Sequence, residues 1–208
     1  MNYHAQLKAC LRRKSVFRGF YNLSSGLTSN YYLDCKLTTL DPQGSVLTGH
    51  AILELLREHG LRPHAIGGPT IGADPIVTGT AAVSYLVGDP IPGFLIRKER
   101  KSHGREKKIE GIEPKPGLRV VIVDEVCTTG GSTLDAIAAA ESEGLEIIAV
   151  LSLVDREEGG SEKIREKYPY FPVFTAKELL EDDGEESGAD REATRDTGSP
   201  PAGNERSG

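Results

Sequence analysis

Residues Arg119 to Thr133 read RVVIVDEVCTTGGST, and the order of residue types in this stretch decides the fold. Val120 to Val123 form an unbroken apolar run rich in β-branched side chains, the pattern of a strand buried on both faces of a parallel sheet. Asp124 and Glu125 follow at the expected carboxyl end of that strand, the edge where open α/β sheets bind ligands. Next come Thr128, Thr129, Gly130, Gly131, Ser132 and Thr133, and then an alanine-rich helical pattern through Ala140. A helix starting there leaves N–H groups unpaired at the positive end of its dipole, which suits a phosphate. The hydroxyls add donors, and the glycines let a ligand approach the backbone.

The two acids discriminate among phosphate loops. A Walker-type loop carries a lysine after its last glycine, and a dinucleotide loop shows GxGxxG with a distant acid; neither pattern is present. Carboxylates beside a phosphate site repel it unless they face something else, such as vicinal hydroxyls from which they accept hydrogen bonds. Ribose 5-phosphate meets that demand. As an isolated pair, Asp124 and Glu125 read instead as turn residues capping the next helix. The strand before them and the TTGGST loop after them favour the sugar phosphate.

VIVDEVCTTGGST resembles the phosphoribosyl pyrophosphate (PRPP) motif of the type I phosphoribosyltransferases. The resemblance implies an α/β fold with a mostly parallel five-strand core sheet flanked by helices and a small amino-terminal hood. It implies PRPP contacts over Asp124, Glu125, Val126, Cys127, Thr128, Thr129, Gly130, Gly131 and Ser132. Asp124 and Glu125 would hold the ribose hydroxyls, and Cys127 to Ser132 the 5-phosphate.

Phe94 to Gly111 reads FLIRKERKSHGREKKIEG, a short strand followed by a run dense in cations. Arg97, Lys98, Arg100, Lys101, His103, Arg105, Lys107 and Lys108 outnumber Glu99, Glu106 and Glu110. Such a segment is either a solvated charged connection or a loop attractive to a polyanion. The order RKExKxHG before IEG resembles the catalytic loop of the orotate phosphoribosyltransferases. By that resemblance Arg97, Lys98, Lys101 and His103 contact the pyrophosphate of PRPP, with Lys101 and His103 catalytic alongside Asp124 and Glu125. His103 could donate a proton or simply a hydrogen bond. In that family the 97–111 loop closes over the neighbouring subunit's site, which implies a homodimer.

Phe17 to Leu37, FRGFYNLSSGLTSNYYLDCKL, resembles the same family's amino-terminal block, with Tyr31 and Tyr32 at the orotate pocket. Taken alone, the two tyrosines read as strand residues packed against a helix. In Leu151 to Gly160, LSLVDREEGG, an apolar strand ends in Asp155-Arg156. A guanidinium can grip a carboxylate through two parallel hydrogen bonds, and the resemblance puts Arg156, with Thr128, beside the ring carboxylate of orotate. Two departures mark a subfamily: many members carry lysine where this chain has Ser24 and Gly72. The burden of charge then shifts to Arg97, Lys98 and Lys101. The resemblance also places an unusual backbone conformation in Gly67 to Pro75, GGPTIGADP, although a plain strand-to-helix loop explains those glycines equally well.

A length of 208 residues suits one domain over 1–180, its hood about 1–40, and a tail over 181–208 expected to be disordered from its Gly, Ser, Pro and charge content. The formal charge of −6, with cations gathered in one loop, argues against generic nucleic-acid binding. Cys10, Cys35 and Cys127 show no metal or paired spacing, so reduced cytoplasmic thiols are the default. Cys127 reads as a reactive thiol or as a small residue fitting its turn. No apolar run approaches the roughly 20 residues that span a bilayer, and the start lacks an apolar signal core.

Periodicity predicts helices over Asn2–Lys14, Ser45–His59, Ile76–Val87, Ser132–Glu143 and Ser161–Lys167. Sheet strands are predicted over Ala65–Gly67, Phe94–Ile96, Val120–Val123, Ile147–Val154 and Phe171–Phe174. The resemblance implies transfer of the 5-phosphoribosyl group from PRPP to orotate in pyrimidine nucleotide synthesis. It also implies Mg2+ bound through PRPP, with Asp124 a candidate ligand, because pyrophosphate leaves poorly until its charge is neutralised. Two rivals stay open: transfer to a different base, and a PRPP-sensing regulator without turnover.

Overall fold

Val120 to Val123 have no side chain in contact with solvent, and the rest of the molecule is layered around them. The computed structural model describes residues 2–22, 28–97 and 108–181. The elements run α1 (Tyr3–Lys14), β1 (Val16–Asn22), β2 (Thr28–Leu33), α2 (Lys36–Thr39), α3 (Pro42–Glu58), β3 (Ala65–Pro69), α4 (Ala73–Leu86) and β4 (Gly93–Ile96). They continue as β5 (Ile109–Glu110), β6 (Arg119–Cys127), α5 (Gly131–Ser142), β7 (Glu146–Asp155), α6 (Gly160–Arg165), β8 (Tyr170–Thr175) and α7 (Ala176–Leu180).

The main sheet has the order β5-β4-β3-β6-β7-β8, parallel throughout except for the two-residue β5, which runs antiparallel to β4. Five parallel strands therefore form the core, as the sequence leads one to expect. Alternation along β6 divides it between two apolar layers. Val121 and Val123 join Leu151 and Leu153 against α1, α3 and α4, through Leu7, Leu11, Ile52, Leu56, Ile76 and Val77. Val120 and Ile122 join Val150, Phe94 and Ile96 against α5 and α6, through Ala136, Ile137, Ala140 and Ile164. Each fully buried aliphatic side chain contributes about 1.5–3 kcal/mol by leaving water, so β6 is anchored before its two acids are reached.

Several boundaries differ from the sequence expectations. Strand β6 continues to Cys127, and Asp124 to Cys127 pair with Ser152 to Asp155 of β7. The two acids thus lie within the last hydrogen-bonded turns of the strand. Helix α3 begins at Pro42, because the Asp41 carboxylate caps the amides of Gln43 and Gly44 and Pro42 supplies the first helical φ. Helix α4 begins at Ala73, since Pro75 falls in the first turn, where a missing N–H costs nothing. Strand β3 extends to Pro69, and its glycines are needed for packing. A Cβ on Gly67 would lie 2.4 Å from the Phe94 ring, and one on Gly68 would lie 1.9 Å from the Val123 carbonyl oxygen.

Strands β1 and β2 pair antiparallel as a separate two-stranded sheet, while α1 belongs to the main core. Among the described residues no helix is long and apolar enough to cross a membrane. Ser24 and the tail beyond Glu181 lie outside the described residues.

Candidate active site

Because the five long strands are parallel, their carboxyl ends share one edge, which gathers Thr70, Arg97, the β6–α5 loop and Arg156. Asp124 is buried at its centre and heavily engaged. Its Oδ2 accepts hydrogen bonds from the Ser132 hydroxyl at 2.9 Å and the Thr133 hydroxyl at 2.8 Å, and its Oδ1 accepts from the Glu125 amide at 2.8 Å. The acid at the strand's end therefore ties down the first turn of α5. Gly130 caps that helix in the left-handed region, with φ 77°, and brings no side chain over the helix start. Thr129, Gly131 and Ser132 are exposed there. The first amides of α5 thus open to solvent with the helix dipole behind them, the arrangement that favours an anion.

The loop is braced from below by α6. The Gly160 amide donates to the Thr128 carbonyl at 3.0 Å, and a Cβ on Gly160 would fall 2.5 Å from the Gly130 amide nitrogen and 2.6 Å from the Thr128 carbonyl oxygen. Only glycine fits, and nothing in the sequence signals this contact. Cys127 lies under the loop, and burial pushes its thiol up to about 11. A small residue fitting the turn is the reading this burial supports.

Glu125 stands apart from Asp124. Its carboxylate accepts from the Lys36 ammonium at 3.1 and 3.2 Å, and Lys36 also reaches Asp34 at 2.9 Å. Burial raises the Glu125 carboxyl, with Lys36 pulling the other way. For Lys36, burial favours the neutral amine, but hydrogen bonds and charge from Asp34 and Glu125 prevail and carry it up to about 12. Lys36 is the site residue that the sequence reading missed.

The other edge of the site is built by β7 and the hairpin. Arg156 is anchored by its amide to the Cys127 carbonyl at 2.9 Å, and its Nε donates to Glu158 at 2.8 Å. Its guanidinium lies 4.7 Å over the centre of the Tyr31 ring. Tyr31 and Tyr32 diverge, as neighbours on a strand must: Tyr32 packs with Phe17 and Tyr21, and only Tyr31 meets Arg156.

Arg97 closes the base of the cationic loop through its amide to the Lys108 carbonyl at 2.9 Å, and its guanidinium faces Glu110 at 3.5 Å. Arg97 and Lys108 share a cavity of about 800 Å3 with Gly131, Ser132 and Asp135. Lys98, Lys101 and His103 lie outside the described residues. On the opposite side, the Thr70–Ile71 peptide is cis, and Gly72 sits against Glu125, its would-be Cβ 2.9 Å from Oε2.

The phosphoribosyl transferase domain family matches residues 46–181 of this sequence. The chain belongs to the phosphoribosyltransferase family. It is 47% identical over 161 residues to the orotate phosphoribosyltransferase of Aquifex aeolicus, covering 77% of this chain and 86% of that one. It is similar to the crystal structure of the Mycobacterium tuberculosis orotate phosphoribosyltransferase with Fe(III) dicitrate, with TM-score 0.76, 37% identity and coverage of 86% and 99% of the two chains. The same enzyme in complex with PRPP gives TM-score 0.71 and 35% identity over 85% and 98%. The matched span of this phosphoribosyltransferase includes the β6–α5 corner described above.

Proposed function

We propose that this chain transfers the 5-phosphoribosyl group of PRPP to orotate, releasing pyrophosphate and forming orotidine 5-phosphate. The observation that carries the choice of base is Arg156, held beside the phosphate corner with its guanidinium on Tyr31 and suited to a ring carboxylate. In the reaction the bond from ribose C1 to the pyrophosphate oxygen breaks with its electron pair going to pyrophosphate, and a ring nitrogen of orotate bonds to C1. Positive charge developing on the ribose ring meets Asp124 and Glu125, which also accept from the 2- and 3-hydroxyls. The α5 amides of Gly131 and Ser132, with Thr128 and Thr129, receive the 5-phosphate. Arg97, with Lys98, Lys101 and His103, balances the leaving group and excludes water that would hydrolyse PRPP.

Magnesium fits this edge as a metal held mainly by the substrate. Among the described residues no cluster of three His, Cys, Asp or Glu side chains could hold a metal by itself. The oxygens on offer suit the ion: Asp74 Oδ1, buried without a hydrogen-bond partner in the first turn of α4, and Asp124. When bound, magnesium would neutralise the departing pyrophosphate.

A homodimer sharing the 97–111 loop goes with this reading. The exposed apolar side chains of Leu40, Val46 and Ile71, on the α2–α3 and β3–α4 segments, support a partner chain. A cytoplasmic setting goes with the same reading, the three cysteines all being free. We assign the catalytic domain to 1–180, with the hood in about the first 40 residues and a tail over 181–208.

The test is loss of orotate ultraviolet absorbance on adding PRPP and magnesium, with uracil and purine bases run in parallel by pyrophosphate release. Consumption of orotate that needs both additions is expected. Arg156→Ala should raise KM for orotate by about tenfold to a hundredfold, as expected for a lost charged hydrogen-bonded pair. Turnover of another base, indifferent to that change, would move the assignment within the family. PRPP binding without turnover of any base would indicate a sensor.

A further inference from the structure

Lys36 touches Glu125, the second acid of the β6 end, and it comes from outside that stretch of sequence. It opens α2, just after the hairpin, and its ammonium bridges Asp34 and Glu125. Its side chain remains 39% exposed, against 12% for Glu125. It lines a cavity of about 570 Å3 with Ile71, Asp74 and Pro75 of the β3–α4 segment. That segment has no cation of its own, since no lysine or arginine occurs between Ala65 and Val87. Gly72 sits against Glu125 without a side chain, and a Cβ there would fall 2.9 Å from Oε2. A buried carboxylate with no cation from its near side has to be balanced from elsewhere.

We propose that Lys36 is a positioning residue for phosphoribosyl transfer, holding the Glu125 carboxylate oriented toward the ribose hydroxyls from the hairpin side of the site. This rests on the PRPP reading given above. The arrangement links two parts of the molecule: the hairpin segment that meets Arg156 through Tyr31 also fixes the Glu125 carboxylate through Lys36, five residues after Tyr31.

Asp34, from the same segment, holds the Lys36 ammonium at 2.9 Å while Glu125 accepts from it at 3.1 Å, so the bridge is fixed at both ends. Removing the ammonium frees the Glu125 carboxylate to turn away from the ribose.

The experiment compares the full-length wild type with Lys36→Met, Lys36→Arg, Glu125→Gln and the Lys36→Met/Glu125→Gln double variant. It measures kcat, KM for PRPP and KM for orotate. Lys36→Met is expected to raise KM for PRPP by about tenfold or more, the scale of a charged hydrogen bond, with KM for orotate unmoved. Lys36→Arg should restore KM for PRPP. In the Glu125→Gln background the Lys36→Met change should cost less than about threefold, as expected when one residue acts through the other. An unchanged KM for PRPP, or an equal cost in both backgrounds, would overturn the proposal and leave Lys36 a structural support of α2. If circular dichroism shows Lys36→Met unfolded, Lys36→Gln is read in the same way. A wild type that fails to consume orotate would defeat the functional reading instead. Calorimetric titration of PRPP with magnesium into the same proteins then decides the role of Lys36 separately, by the same loss in Lys36→Met and rescue in Lys36→Arg.

Discussion

Asp124 is held by hydroxyls eight and nine residues further along the chain, whereas its neighbour Glu125 is held by a lysine 89 residues away. The first acid belongs to a corner built locally: strand, loop and helix start follow one another, and the hydroxyls that donate to Asp124 come from within the motif. The second belongs to a corner assembled only when the hairpin docks on the sheet edge. Arg156 and Tyr31 belong to the same long-range half. The phosphate half should therefore behave as a preformed unit, and the base half as one that depends on the packing of β1, β2 and α2.

The sharpest way to break this contrast is Asp124→Asn. The amide keeps the shape but loses the charge, so kcat should fall about 10²–10³-fold, the scale of a group that stabilises a developing charge. Secondary structure by circular dichroism should be unchanged. A loss confined to KM for orotate would contradict the division. Gly160→Ala comes next. Its Cβ meets backbone atoms of the phosphate loop, which cannot rotate away, so stability should drop by about 1–3 kcal/mol. A urea titration reads that drop, and a weaker affinity for PRPP should accompany it. The smallest effect is expected for Tyr31→Leu, which removes the ring under Arg156. KM for orotate should rise about threefold to tenfold, in line with a partly desolvated cation–π contact, with KM for PRPP unmoved. A matching change in both constants would mean that the hairpin governs the whole site.

The same division explains what could be read from the chain. The β6–α5 corner was legible because each part has a local signal: β-branched residues for the strand, paired acids, hydroxyls and glycines for the loop, alanines for the helix. Its one misjudged point, the continuation of β6 to Cys127, arises because pairing with β7 carries polar residues that no local pattern marks as strand. Lys36 gave no such signal, since a lysine opening a short helix after an aspartate looks like an ordinary surface residue. Gly160 was equally silent, its need for glycine being set by a loop some thirty residues earlier in the sequence. Tyr31 and Arg156 were each picked out by resemblance, but their stacking and the divergence of Tyr32 follow from how the hairpin sits.

The burial of every cysteine has a practical consequence. Cys10 lies in α1, Cys35 beside the Lys36 bridge and Cys127 under the phosphate loop, and each is at most 2% exposed. A thiol so enclosed can be alkylated only when its surroundings open. The chain thus carries three built-in clocks, one in the main core and one on each side of the site. The order in which they react with a small alkylating reagent would time the release of the hairpin, the loop and the core in the unmodified protein.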